Sequence, residues 1–178
     1  MPSTLADINP RERAHMAMCV HEAAHATVGV ALGGDLRNAV VIRSRVTGLE
    51  GLTTFTDRPH GRDAEIAYAG PYGEAKFQAG GRRPTQRALF AALDGCGRKD
   101  ARVLTASGGT HTGTAAVPLL DTCWPAIIRV AQHLHRVAEV HQGDVLAALG
   151  ITDGGGPASV QLAALRSNLR SVPARIPA

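Results

Sequence analysis

The residues best suited to chemistry in this chain lie in one short stretch, "VHEAAHATVGV", at residues 20–30. His21 and His25 are four residues apart, so on an α-helix both side chains project from one face and direct two ring nitrogens at one point. Zinc binds imidazole nitrogens at about 2.0–2.1 Å. Glu22 lies about 100° further round the helix, where its carboxylate can hold and deprotonate a water molecule on the metal. The pattern predicts zinc bound by His21 and His25, with Glu22 as general base.

The alternative interpretation is an ordinary core helix whose two histidines donate hydrogen bonds to carbonyl groups. The residues around them are small and apolar, among them Val20 and the pair Ala23 and Ala24. A buried carboxylate without a partner between two buried imidazoles would cost free energy, and a bound cation removes that cost. The surroundings therefore favour a metal site.

A zincin helix of this kind needs a third protein ligand, which this stretch does not supply. The extended metzincin pattern would place glycine and histidine where this chain has Val28 and Ala31, so that class is excluded. The third ligand must come from further along the chain, and spacing alone does not choose one. The candidates are Glu65, Glu74, Asp94, Asp100 and His111.

The elements that must position these residues begin with the helix itself. Asn9 is a suitable N-cap, Pro10 suits the first helical position, and the glycine pair 33–34 ends the segment, which predicts a helix from about residue 10 to 32. Alternation from Val40 to Val46, a "TGLEG" turn and the run "LTTFT" predict a β-hairpin directly after it.

The rest of the chain has mainly helical patterns. "GRDAEIAYAGPYGEAKFQAG" predicts a helix that Pro71 should kink or split. Two short helices divided near residues 95–97, a "GGTHTGTAA" loop, and a longer helix capped by Thr122 with Pro125 in its first turn should follow, then a short helix at "GDVLAALG". The expected fold is therefore α+β and predominantly α-helical, with a small sheet after the HExxH helix.

Length and composition limit the class of protein. With 178 residues, of which 44% are hydrophobic, the chain can bury one core. We expect one metallohydrolase domain over residues 1–152 and a flexible C-terminal tail over 153–178 with a possible short helix. The net charge of +4 is spread along the chain with few aromatic residues, so nucleic-acid binding is not expected. The three cysteines are far apart in the sequence, which predicts a reducing, cytoplasmic setting. A membrane span is not expected, because the apolar runs are too short.

Four segments, taken in order, resemble the peptidase domain of the FtsH-type ATP-dependent zinc proteases. "VHEAAHATVGVAL" resembles their metal-binding helix, "VVIRSRVTGLEGLTTF" the hairpin after it, "YAGPYGEAKF" their AGxxAE helix, and "GCGRKDARVLT" the segment that carries an acidic ligand. The late run "IIRVAQHLHRVAEVHQGDVLAAL" is similar to their closing helices. The similarity covers about residues 10–150.

This resemblance implies roles for particular residues. His21, His25 and Asp100 would be the zinc ligands, Glu22 the catalytic base, and Glu74 a residue that orients a ligand histidine. Ala24 stands where the family has glycine, which should tighten a helix contact. The ATPase module of the family has no counterpart in these residues, so processive degradation of folded proteins is not expected.

The leading hypothesis is a zincin-like zinc hydrolase, a metallopeptidase that acts on a peptide or small amide. Tyr68, Tyr72 and His111 are candidates for the donor that stabilises a tetrahedral oxyanion. Two alternatives remain open: an enzyme of the same fold acting on a dedicated small-molecule or biosynthetic substrate, and a non-catalytic zinc-binding regulatory module. A homo-oligomer or an unidentified protein partner is also left open.

Overall fold

A computed structural model describes residues 9–44 and 48–174 of the chain. Its elements, in chain order, are α1 (Pro10–Ala31), β1 (Asp35–Ser44), β2 (Gly48–Asp57), α2 (Asp63–Gln78), α3 (Gln86–Asp94), α4 (Arg98–Ala106), a 3₁₀ helix (Thr110–Ala116), α5 (Val117–Val137), β3 (Glu139–Val140), α6 (Gln142–Leu149) and α7 (Val160–Arg166). Helices make up 61% of the described residues, and the strands form one small antiparallel sheet. The expected class, α+β and mostly helical, is therefore confirmed. None of the helices in the described ranges combines the length and hydropathy that a membrane span requires.

The first helix, α1, is the central element of the fold. The side chain of Asn9 accepts a hydrogen bond from the Glu12 N–H at 2.9 Å, and Pro10 occupies the first turn, as predicted. Every residue from Ala17 to Ala31 is buried. A helix that is buried on all sides must be covered by other elements on all sides, and α1 packs against α2, α5, α6, α7 and the sheet.

The predicted hairpin is present and longer than expected. β1 lies between β2 and β3 and pairs antiparallel with both, so β2 is an edge strand. Gly51 of β2 lies opposite Val41, and Thr53 lies opposite the buried Ala39. Since opposite residues share a sheet face, Gly51 and Thr53 face inward, toward α1. The predicted turn "TGLEG", residues 47–51, is wrong for residues 48–51, which already pair with β1 as the first part of β2, while Thr47 lies outside the described residues. The two-residue β3 was not predicted.

Pro71 does not divide its segment, because α2 is a single helix from Asp63 to Gln78. A proline inside a helix costs about 3 kcal/mol or more. Eleven successive residues, Ile66 to Lys76, are buried, and this packing offsets the cost. The helix approaches α1 closely at Gly73, where a Cβ atom would lie 2.7 Å from the Cβ of Ala24. The methyl group of Ala24 is thus accommodated by a glycine on the facing helix.

The start of α5 also differs from the prediction. The helix begins at Val117, so Pro125 lies inside it, and Thr122 is not its cap. The Thr122 hydroxyl instead donates a hydrogen bond to the Pro118 carbonyl one turn earlier, at 3.0 Å. The segment "GGTHTGTAA", expected to be a loop, contains the 3₁₀ helix that leads into α5. Local turn residues predict that α5 starts near Thr122. Leu119 and Leu120 are buried, and their packing favours the earlier start of the helix.

The described part of the C-terminal segment packs on the core, whereas the sequence predicts a flexible tail. The predicted short helix is present as α7, begun by Ser159, whose side chain accepts from the Leu162 N–H at 3.0 Å. Leu162 and Leu165 are fully buried. Arg166 donates a hydrogen bond to the Ala31 carbonyl at the end of α1, at 2.8 Å. This contact ties α7 to the central helix.

We expect Leu162→Ala to lower the free energy of unfolding by about 2–5 kcal/mol, because it leaves a cavity in the core. The matched control is Leu169→Ala, the same change at a side chain that is 84% exposed, which should alter stability by less than about 0.5 kcal/mol. Chemical denaturation of both variants measures the difference. Equal stability of the two variants would contradict the packing of α7.

Candidate metal centre

Three side chains from two helices converge in the core. The Nε2 atom of His21 lies 3.1 Å from Oδ2 of Asp100, and the Nε2 atom of His25 lies 3.4 Å from Oδ1 of the same carboxylate. The three potential ligand atoms lie within 4.8 Å of one another. Two imidazole nitrogens and one carboxylate oxygen converging in this way form a group that could hold a metal ion.

The other nitrogen of each imidazole is held by a partner outside this group. The Nδ1 atom of His21 lies 3.0 Å from Oε2 of Glu74, and the Nδ1 atom of His25 lies 2.7 Å from the carbonyl oxygen of Ile66. Such contacts fix the orientation of a ligand histidine and leave its Nε2 free for the metal. Glu74 therefore lies behind His21, and Asp100 is the carboxylate that completes the group.

The two acids next to His21 determine its charge. Burial opposes a charged imidazole, but hydrogen bonds to Asp100 and Glu74 outweigh it and raise the pKa of His21 to about 10. Burial likewise favours a neutral Asp100, but attraction to His25 and hydrogen bonds with both histidines hold its pKa well below the usual range. Without a metal, a proton on His21 provides the positive charge that this buried carboxylate needs.

Gly70 of α2 keeps the centre open. A Cβ atom at this position would lie 2.2 Å from Nε2 of His25 and 2.7 Å from Nε2 of His21. Both distances are far below van der Waals contact, so the two Nε2 atoms face bare backbone. The space that a side chain at Gly70 would fill is the space in which an ion would meet these nitrogens. The donors and the hollow both fit a bound metal.

Glu22 lies beside the centre and is held by the edge strand. The Thr53 hydroxyl donates a hydrogen bond to Oε2 of Glu22 at 2.6 Å. A Cβ atom at Gly51 would lie 2.3 Å from Oε1 of the same carboxylate, so only glycine leaves room for it there. Strand β2 thus holds Oε2 of Glu22 through the Thr53 hydroxyl, and it leaves room for Oε1 because Gly51 has no side chain.

The centre lies at the floor of a cleft of about 170 Å³ between β2 and α4. Apolar side chains of the cleft wall include Leu52, Phe55, Ile66 and Val103. At the rim, Arg58 and Asp63 form an ion pair of 3.2 Å, while Lys99 has no acidic partner among the described residues. The exposed thiol of Cys96 also borders the cleft.

The structure separates the remaining candidates from the centre. Glu65 forms an ion pair of 2.7 Å with Arg62, and Asp94 is exposed at the end of α3. His111, Tyr68 and Tyr72, considered as oxyanion donors, line a different cavity and not this cleft. Sequence reasoning missed Thr53, whose inward position became visible only with the strand register.

Comparisons with known proteins do not assign the chain to a family. No protein-family model matches the chain, and no curated protein is significantly similar to it. The resemblance to FtsH-type peptidase domains therefore stays a prediction from the sequence.

We expect Gly70→Ala to abolish metal binding, because the added methyl group would occupy the space in front of both Nε2 atoms. The control is Gly143→Ala in α6, where nothing lies within 4 Å of the added atom. Calorimetric titration with Zn²⁺ as probe ion measures the loss. Unchanged zinc affinity in Gly70→Ala would rule out this position for the ion.

Zinc affinity should rise with pH. The pKa of His21 is raised to about 10 in the metal-free protein, so the ring is protonated at neutral pH and must lose that proton to bind a metal. Between pH 7 and 8.5 the affinity for Zn²⁺ should increase about tenfold per pH unit, one proton being released per ion. Competition with a chelating dye measures the slope.

Glu74→Gln is the matched variant for this pH dependence, because it removes one of the two carboxylates that raise the pKa of His21. Its zinc affinity should depend less steeply on pH at the upper end of this range. An affinity of the native protein that does not change with pH would contradict the protonated state of His21.

Proposed function

We propose that the protein is a zincin-like zinc-dependent hydrolase, a metallopeptidase that cleaves peptide or small amide bonds. The observation that carries the proposal is the placement of the Glu22 carboxylate beside the group of His21, His25 and Asp100, at the floor of an open cleft. A purely structural metal site is closed by four protein ligands, whereas a catalytic site keeps a position open. The three-donor group and the adjacent carboxylate support the catalytic class.

Zinc fits the donor set better than calcium or magnesium. Two imidazole nitrogens and one carboxylate oxygen suit zinc, whereas calcium and magnesium take mostly oxygen ligands. His21, His25 and Asp100 would hold the ion, with Glu74 and the Ile66 carbonyl fixing the two rings. When bound, zinc supplies a Lewis acid and lowers the pKa of water to about 7.

Glu22 would perform the proton transfers. Its carboxylate accepts one proton from the attacking water, and the same proton then passes to the departing amine nitrogen, so the enzyme returns to its starting state. The hydrogen bond from Thr53 holds Oε2 in place and leaves Oε1 for this exchange. A carboxylate fixed in this way does not have to be reoriented during the reaction.

The edge strand supports a peptide as substrate. Within residues 9–44 and 48–174, β2 pairs with a strand on one side only, so its other side is available to an extended chain. Gly51, Leu52, Thr53 and Phe55 of this strand border the cleft. A peptide added alongside β2 would thus pass the metal centre.

The size of the cleft favours one further candidate, a small amide from a dedicated biosynthetic reaction. The volume of about 170 Å³ is below the ~300–1,000 Å³ of most small-molecule sites, so it would accept one side chain or a small substrate. The chemistry at Glu22 would be the same in both cases.

The decisive test is hydrolysis of a fluorescence-quenched peptide library and of a panel of small amides by zinc-loaded protein. Glu22→Gln should keep its zinc and lose about 10²–10⁴-fold in rate, because the proton acceptor is gone. His21→Ala should lose the zinc itself. The control Glu50→Gln changes an exposed acid on β2 and should leave both properties intact. Hydrolysis that persists in Glu22→Gln would contradict the proposal, as would stoichiometric zinc with no turnover of any substrate.

A further inference from the structure

The outer face of the sheet, which points away from α1, carries exposed apolar side chains. Ala39 and Val41 of β1 are buried on the inner face. Side chains alternate along a strand, so Val40 and Ile42 point outward. Leu52 lies opposite Val40 and shares this face. Ile42 is 53% exposed and Leu52 is 52% exposed, so a partner can reach both side chains in the described part of the chain.

Val40, Ile42 and Leu52 form one group, the outer patch. Val40 and Leu52 are directly opposite each other, and Ile42 is a diagonal neighbour of Leu52, because it pairs two positions earlier in β2. Opposite residues in a sheet have Cβ atoms about 4.5–5.5 Å apart, and diagonal ones lie about 7–8 Å apart. Apolar side chains that are exposed next to one another mark interaction sites more often than single ones do.

The outer patch continues into the metal cleft through Leu52. This residue borders the cleft, as do its two neighbours Gly51 and Thr53, which point inward and lie against the carboxylate of Glu22. Ile42 does not line the cleft. One residue of the edge strand thus belongs to both surfaces, so a ligand that follows the edge of β2 meets the metal cleft and the outer patch together.

An extended chain added to β2 would use both surfaces at once, because its side chains must alternate between the two faces of the sheet. The residue opposite Leu52 would point outward, onto the patch. Its two neighbours would lie opposite Gly51 and Thr53 and point inward, toward Glu22. The small side chains of Gly51 and Thr53 leave room for the inward residues, and Leu52 provides a contact for the outward one. The chain that occupies the cleft is therefore also the chain that covers the patch.

We propose that the outer patch selects substrates, by favouring peptides with a large apolar residue directly next to the residue that fills the cleft. The inference rests on the proposed hydrolase function and names its substrate class, an extended polypeptide with two adjacent apolar residues. A small amide would fill the cleft without reaching the patch. Leu52 and Ile42 would contact a substrate side chain on the face of the sheet away from Glu22, so they act on substrate binding and not on proton transfer.

The test measures binding separately from hydrolysis, with zinc-loaded Glu22→Gln as the protein that leaves peptides uncleaved. Two isomeric peptides flanked by lysines are compared by fluorescence anisotropy, one with the core Ala-Leu-Leu-Ala-Ala and one with the core Ala-Leu-Ala-Leu-Ala. Adjacent leucines can occupy the cleft and the patch together, whereas alternate leucines lie on one face. The isomer with adjacent leucines should bind about three- to tenfold more tightly.

Two further substitutions in this background assign the preference to the patch. Leu52→Ser should remove the difference between the isomers, and Ile42→Ser should remove most of it, although Ile42 does not line the cleft. The matched control is Leu169→Ser, the same change at a leucine that is 84% exposed and lies outside the sheet and the cleft. It should keep the full preference. In the protein with native Glu22, Ile42→Ser should hydrolyse small amides at the native rate.

The outcomes separate this inference from the proposed function. A preference for adjacent leucines that is lost in Ile42→Ser supports the patch, even if no substrate is turned over and the hydrolase proposal is wrong. The inference is overturned if neither isomer binds at millimolar concentration, if both bind equally, or if Ile42→Ser keeps the full preference, while hydrolysis of small amides would leave the proposed function standing. It is also overturned if sedimentation shows a native dimer that Ile42→Ser makes monomeric, because a second copy would then cover the face.

Discussion

The close approach of α1 and α2 is the contact on which the rest of the site depends. It is possible because Gly73 faces Ala24 and because Gly70 faces the two histidines. A larger spacing between the helices would carry Glu74 and the Ile66 carbonyl away from the ring nitrogens that they hold. The orientation of both imidazoles is therefore a consequence of backbone proximity, which small residues permit.

The second constraint is electrostatic. The core holds two imidazoles together with the carboxylates of Glu22, Glu74 and Asp100, all of them buried or nearly so. Such a group is stable only when positive charge balances the acids. A proton on His21 can provide it, and a divalent ion provides more. A metal ion would replace the hydrogen bond between His21 and Asp100, while the contacts of the two Nδ1 atoms with Glu74 and the Ile66 carbonyl would stay.

Much of this arrangement follows from local sequence, and part of it does not. The bounds of α1 could be predicted because Asn9, Pro10 and the glycines at its end act locally, and the histidine spacing then places both rings on one face. The continuity of α2 through Pro71 and the early start of α5 could not, because burial against distant elements overrides local turn signals. Asp100 required the family resemblance to be chosen from several acids. Thr53 depends on strand register, which the sequence leaves open.

The glycines around the centre have a consequence for how the protein can evolve. Gly51, Gly70 and Gly73 each face a neighbouring side chain at a distance that no Cβ atom can occupy. Every amino-acid substitution of a glycine adds a side chain, and at these positions it would collide with Glu22, His25 or Ala24. We therefore expect substitutions to be tolerated on the exposed faces of α3 and α6 but not at these three glycines. The geometry of the centre is protected by residues that contribute no atoms to its chemistry.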